Sequence, residues 1–424
     1  MLQEIKNSAF AKNVIVLFTG SLAAQIIPFL ALPILQKYYF TPADFGLLVL
    51  FISFFELFSK VSTLKLEYGI VLQSRTRDAI NLAAGALKIA LVAASIAAVL
   101  MFFMHPMLGA YYDIQELSYY FMLLPIYIII SAFTDTANYW FNRKKKFSAI
   151  AYAKVVQTSS AESAKLLFGV LKFSFAGLLI GRILGFTMAS FYYIFRFIKH
   201  ERRALQLINS KDTKRLIVEN KKFIYFTTPS VFIGSLHNLT YLNLFQYYYG
   251  EEIVGNIGVS MLYLGTGFGV ISLSFSQVFY SKLADITNKQ QMLQVYKRFA
   301  KNLTAVALLP IAFVYLIPES IVVSLLGDAW SELLGIARIM VLWLSVWFVS
   351  SSLSFIYIRL GRQKQMVLFD ILHLVLTPLG FFVGRAFDEG LTGSLLGFSI
   401  SQIIFYVLTI SLAIRYIKKA KDLS

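Results

Sequence analysis

From residue 13 to residue 414 the chain is a succession of apolar runs separated by short polar breaks. A helix of about 20 apolar residues crosses the hydrocarbon core of a bilayer. Twelve such segments can be marked: 13–39, 43–64, 79–104, 117–141, 149–171, 175–195, 223–249, 253–280, 299–317, 333–358, 365–384 and 391–414. Only 14% of the residues are charged, against about 25% in a soluble domain. That leaves little material for a wet surface and no room for a soluble domain of ordinary size. The expected fold class is an all-α polytopic membrane protein with twelve transmembrane helices.

The formal net charge is +17, which in a soluble protein would suggest nucleic acid. Its distribution points instead to topology. When the connections are assigned alternately to the two sides, thirty Lys and Arg fall on one side and three (Lys37, Lys172, Arg385) on the other. Basic residues collect on the cytoplasmic side, so both termini are expected there. The opposite side is short-looped and acidic: Asp44, Asp113, Glu116, Glu251, Glu252, Glu319, Asp328, Glu332, Asp388 and Glu389. The longest connection, Arg196 to Lys222, reads as a basic linker resting on anionic lipid. The expected organisation is a six-helix lobe over 1–198, a cytoplasmic linker over 199–221 and a second six-helix lobe over 222–424. "SLAAQ" (Ser21 to Gln25) sits inside an apolar run that continues to Tyr39, so the first segment reads as an uncleaved span. With no Cys and four scattered His, the chain offers no thiol chemistry, no metal site and no cofactor motif.

Two stretches echo one another. "YYFTPADFG" (Tyr38 to Gly46) and "YYYGEEIVG" (Tyr247 to Gly255) stand 209 residues apart. The same offset aligns Thr19 with Thr228, Leu35 with Leu244 and Leu64 with Leu273. Farther on, "YWFNRKKK" (Tyr139 to Lys146) and "IYIRLGRQK" (Ile356 to Lys364) end two segments in basic turns. With six spans per half, both halves enter the membrane from the same side, which makes the repeat parallel. Each corner suits an outer hairpin. Its aromatic rings match the headgroup level; Thr41 caps the next helix, Pro42 takes its first position, and Asp44 faces the positive end of the dipole. Gly46 and Gly255 permit close helix packing.

"QKYYFTPADFG" followed by "LKLEYGIVLQ" (Leu64 to Gln73) resembles the start of bacterial polysaccharide and O-antigen flippases, a branch of the MOP exporter superfamily. Glu251 to Asp285, with Gln-Val-Phe-Tyr at Gln277 to Tyr280, resembles the start of that family's second half. Gly69 stands where the family usually has Ala, and Ser281 where it often has Pro. The resemblance implies two six-helix lobes around a central cavity lined by spans 1, 2, 7 and 8. It implies a substrate of undecaprenyl-diphosphate-linked oligosaccharide, moved between leaflets of the bacterial inner membrane by alternating access. Membrane lipids and polysaccharide polymerase or assembly proteins are the expected partners, and nucleic acid is not. Pro28, Pro33 and Pro229 are plausible bending points.

Ionisable residues inside spans are costly and tend to face an interior or a wet cavity. Glu56 and Lys60 are spaced i, i+4 with the acid first, the better order for a pair. Lys60 and Glu56, with Arg182, Lys165, Arg338 and His237, are the cavity and substrate candidates, because diphosphate needs fixed cations where water is scarce. Asp135, Lys154, Glu162 and Asp370 are candidates for intramembrane ion pairs or proton coupling. Axial depth suggests that Asp135 pairs with Lys154 and that Glu162 meets Arg182. A lipid-linked peptidoglycan precursor flippase and a multidrug or cation antiporter are the alternatives within the superfamily. A membrane O-antigen polymerase or ligase would carry a catalytic constellation on a large outer loop, which this chain lacks.

Overall fold

The computed structural model describes residues 9–112, 114–284, 286 and 288–420. Asp113, the first eight and last four residues, and the side chains of Glu116, Gln277 and Tyr280 lie outside the described set. Every regular element among the described residues is helical. The long helices are α1 (Ala9–Tyr38), α2 (Pro42–Ser59), α3 (Thr76–Tyr111), α4 (Leu124–Arg143), α5 (Phe147–Val170) and α6 (Ser174–Glu201). Helix Thr228–Ser260 breaks at Gly250, giving α7 (228–249) and α8, which runs from 251 through a π turn, Met261–Gly265, to Ala284. Then come α9 (Lys289–Leu316), α10 (Leu333–Ser352), α11 (Gln363–Phe387) and α12 (Leu391–Lys419).

Each of the twelve apolar segments falls on one of these helices. Eight of them (α2, α3, α4, α6 and α9 to α12) are long and apolar enough to cross a membrane by themselves. The apolar part of α1 among the described residues, Leu22–Tyr38, is shorter. α5 carries Lys154, Glu162 and Lys165, α7 carries Ser, Asn and His, and α8 is rich in Gly and Ser.

By contacts the chain forms two units, Met1–Phe40 with Leu47–Leu239, and Thr41–Gly46 with Thr240–Ser424. In the first unit, Gly20 of α1 lies on Ala151 of α5, and Gly185 of α6 lies against Gln157 and Ala161 of α5. The basic linker belongs to this unit for a definite reason. Buried Asn81 on α3 donates to Leu207 O (2.8 Å) and accepts from Asn209 N (2.7 Å) and Thr213 Oγ1 (3.1 Å). Arg77–Asp212 (2.7 Å) and Arg215–Asp78 (2.9 Å) tie the linker helix Ser210–Glu219 to the same end of α3. A π turn, Phe223–Thr227, runs directly into α7 with helical residues on both sides, and Pro229 lies just after it.

In the second unit, α11 and α12 touch along Gly380, Gly384, Gly393 and Gly397, where an added Cβ would strike the facing backbone. The two echoing corners also meet here. A Cβ at Gly46 would collide with the carbonyl of Glu251, and a Cβ at Gly255 with the carbonyl of Pro42. Pro42 and Glu251 are themselves one repeat offset apart, so the contact is symmetric: each glycine admits the first turn of the other helix.

The turns are built differently. Thr41 Oγ1 accepts from Asp44 N (3.3 Å) while Asp44 Oδ2 accepts from Thr41 N (2.9 Å), a reciprocal cap. The second copy turns at Gly250, with φ 82° and ψ 177°, a conformation open to glycine.

Candidate functional site

The ionisable residues of the first unit gather on α2, α4, α5 and α6. Glu56 and Lys60 pair as their spacing predicts, Lys60 Nζ lying 2.7 Å from Glu56 Oε2. Arg182 takes the other oxygen, with Nη2 3.0 Å from Glu56 Oε1. One carboxylate is therefore held between two cations. The guanidinium also lies over the Phe186 ring, 5.8 Å from its centroid, and its buried Nε–H has no acceptor. Lys60 is 46% exposed.

Beside this trio is a cavity of about 230 Å³ lined by Ser53, Glu56 and Lys60 of α2 and by Val231, Gly234, Ser235 and Asn238 of α7. All seven belong to the first unit. An added Cβ at Gly234 meets nothing within 4 Å. The surface combines one ammonium, one carboxylate, two hydroxyls and a carboxamide. Such a surface suits an anion that also presents hydroxyl groups. His237 lies on α7 but does not line the cavity.

The other expected pairings are rearranged. Glu162 binds Lys165 on its own helix (2.7 Å) and forms no ion pair with Arg182. No ion pair between Asp135 and Lys154 is found among the described residues. Axial depth fixes height but not the direction in which a side chain leaves its helix, and direction decides these contacts. Arg338 belongs to the second unit, where it pairs with Glu319 (3.1 Å) and donates to Ile317 O (3.2 Å) across the turn between α9 and α10. Asp370, also in the second unit, lies near Tyr406.

Two residues of this region escape the sequence reading. Segment 43–64 is not helical to its end. α2 stops at Ser59, and the chain coils through tight turns to a short helix, Glu67–Ile70. Leu64 (φ 52°) and Lys65 (φ 55°) are left-handed there, which costs a non-glycine residue about 1–2 kcal/mol. The coil carries Lys65 and Glu67 inward as a buried pair, Nζ to Oε1 3.3 Å, with side chains 7% and 1% exposed. Both lie between segments 43–64 and 79–104, outside the marked spans. Their appearance in the motif "LKLEYGIVLQ" was the available signal; the left-handed pair at Leu64 and Lys65, neither of them a turn-forming residue type, left no other.

Known proteins can now be set beside this geometry. A family described as "Polysaccharide biosynthesis protein" matches residues 39–334. No curated protein matches the chain in sequence. Among solved structures, the chain is similar to a multidrug resistance MATE family transporter of the MOP superfamily. Against its inward-facing conformation the TM-score is 0.74, with 15% identity over 96% of each chain. Against an outward-facing conformation it is 0.64, with 14% identity over 98% of each chain. The MATE transporter ClbM in complex with Rb+ gives 0.56, with 15% identity and 98% coverage of each chain. Identities this low establish likeness of fold, and the family match covers well over half of the sequence. The chain is a multi-pass membrane protein that belongs to the polysaccharide biosynthesis protein family and has the helical fold of the MATE transporters.

Proposed function

We propose that the protein flips undecaprenyl-diphosphate-linked oligosaccharides from the inner to the outer leaflet of the bacterial inner membrane by alternating access, with both termini cytoplasmic. The observation that carries this reading is the trio Glu56, Lys60 and Arg182 beside a hydroxyl- and amide-lined cavity. Two cations on one carboxylate leave a net positive charge where water is scarce, and that attracts a diphosphate. Glu56 keeps either cation from holding the anion too tightly for release. Ser53, Ser235 and Asn238 supply partners for sugar hydroxyls. A cationic-drug antiporter would need the opposite charge balance at this place, and a polymerase or ligase would need a catalytic constellation.

Lys60→Ala removes a charged contact worth about 1.5–3 kcal/mol, so surface polysaccharide in a complementation assay should fall about tenfold or more. Membrane levels of the variant should match wild type. Wild-type polymer at wild-type protein level would overturn Lys60 as a substrate ligand.

A further inference from the structure

The cavity between α2 and α7 is graded along its length. Ser53, Glu56 and Lys60 are spaced i, i+3 and i+7, and Val231, Gly234 and Asn238 repeat that spacing on α7. Each set is therefore one stripe of a helical surface. Lys60 comes directly after the last residue of α2. α7 starts beside the coil that follows α2: the rings of Tyr68 and Phe223 have centroids 6.2 Å apart, and a Cβ at Gly69 would lie 2.8 Å from Asn220 Oδ1. The two helices therefore run in opposite directions. Lys60 stands level with Val231, Glu56 with Gly234 and Ser235, and Ser53 with Asn238. The stripe from Lys60 to Ser53 rises about 10 Å, the reach of a diphosphate followed by one sugar ring.

The free hydrogen-bonding capacity lies at the end away from the ammonium. Both Glu56 oxygens are taken, one by Lys60 and one by Arg182, and Ser53 Oγ donates to Leu50 O (2.8 Å). Asn238 is in no hydrogen bond among the described residues, so its carboxamide offers donors and an acceptor together. Between the ammonium and the carboxamide the α7 wall is bare, because a Cβ added at Gly234 meets nothing within 4 Å.

We propose that Gly234 and Asn238 select the sugar joined to the diphosphate, Gly234 by leaving room for the ring and Asn238 by reading a substituent on it. This rests on the flippase reading above. The diphosphate lies by Lys60, and the ring packs on the bare surface of Gly234. An acetamido substituent matches the carboxamide of Asn238 donor for acceptor and acceptor for donor. A cavity of about 230 Å³ takes one ring, and the remaining sugars lie outside it, so selection is made at a single sugar.

The test is the binding of two probes to the full-length protein in lipid nanodiscs: undecaprenyl diphosphate, and undecaprenyl diphosphate carrying one N-acetylglucosamine. The wild type should bind the sugar-bearing probe more tightly. Gly234→Leu should weaken that probe about tenfold or more and leave the bare diphosphate lipid unchanged. Asn238→Ala should reduce the preference for the sugar about threefold to tenfold. Lys60→Ala should weaken both probes alike, and Gly335→Leu, outside the cavity, should change neither. If Gly234→Leu does not fold, Asn238→Ala decides alone. A wild type without the preference, or a preference that survives either cavity variant, overturns the proposal and leaves the flippase reading standing. A wild type that binds neither probe overturns both.

Discussion

The C-terminal ends of α2 and α4 in the first unit and of α8 and α10 in the second are built on the same plan and filled with different chemistry. Arg143 ends α4 by donating to Gln73 O and Ser74 O, both at 2.9 Å. Arg359, just beyond α10, donates to Leu283 O (3.2 Å) and Ile286 O (3.1 Å). Lys145 and Gly361 follow them as left-handed residues with φ 55° and 64°. On that register Asp135 corresponds to Ser351, and on the register of the corner motif Glu67 corresponds to Ser276. Where the first unit has charges, the second has hydroxyls: Ser276 Oγ donates to Ser272 O (2.7 Å), and Ser351 Oγ lies 3.1 Å from Ser272 Oγ. α8 runs on as helix where the chain after α2 coils.

The corner motif teaches the complementary lesson. Tyr39 and Phe40 pack on Gly169 and Gly177, at the turn between α5 and α6. Tyr249 hydrogen-bonds Ser394 Oγ (2.6 Å) and Gly390 O (3.0 Å), at the turn between α11 and α12. Here both copies do the same work, so the duplicated letters are structural.

The largest effect is expected at the symmetric crossing. Overpacking a core costs about 1–3 kcal/mol where side chains can yield, but at Gly46 and Gly255 the obstacles are backbone carbonyls. Gly255→Leu should abolish folded protein in size-exclusion profiles, whereas Gly335→Leu, with nothing within 4 Å of its added Cβ, should be close to wild type. Next comes conversion of the first unit toward the second. Glu67→Ser strands Lys65 and should cost about 3–5 kcal/mol, and Lys65→Ser added to it should restore most of the melting temperature. Failure of that rescue would show that the fold does need the charges. Arg143→Ala and Arg359→Ala should each lose about 1.5–3 kcal/mol, and clearly unequal losses would break their equivalence. The smallest effect is Ser272→Ala, about 1 kcal/mol, with polysaccharide export unchanged.

Much of the scaffold is readable in the letters. Apolar length places the helices, and Thr41–Asp44 announces its cap. The Glu56–Lys60 pair is readable because i, i+4 spacing fixes direction as well as height. Arg182 reaching Glu56 and Glu162 turning to Lys165 are not. Each depends on rotation about a helix axis, which packing decides. Lys65 and Glu67 are hidden by a left-handed turn at residue types that rarely adopt one.

The central claim is that substrate chemistry resides in the first unit. Surface polysaccharide measured for Arg182→Ala against Arg338→Ala, at matched membrane levels, tests it most directly. Export should fall about tenfold or more for Arg182→Ala and stay at wild type for Arg338→Ala, whose partner Glu319 lies in its own turn. Export retained by Arg182→Ala and lost in Arg338→Ala would contradict it.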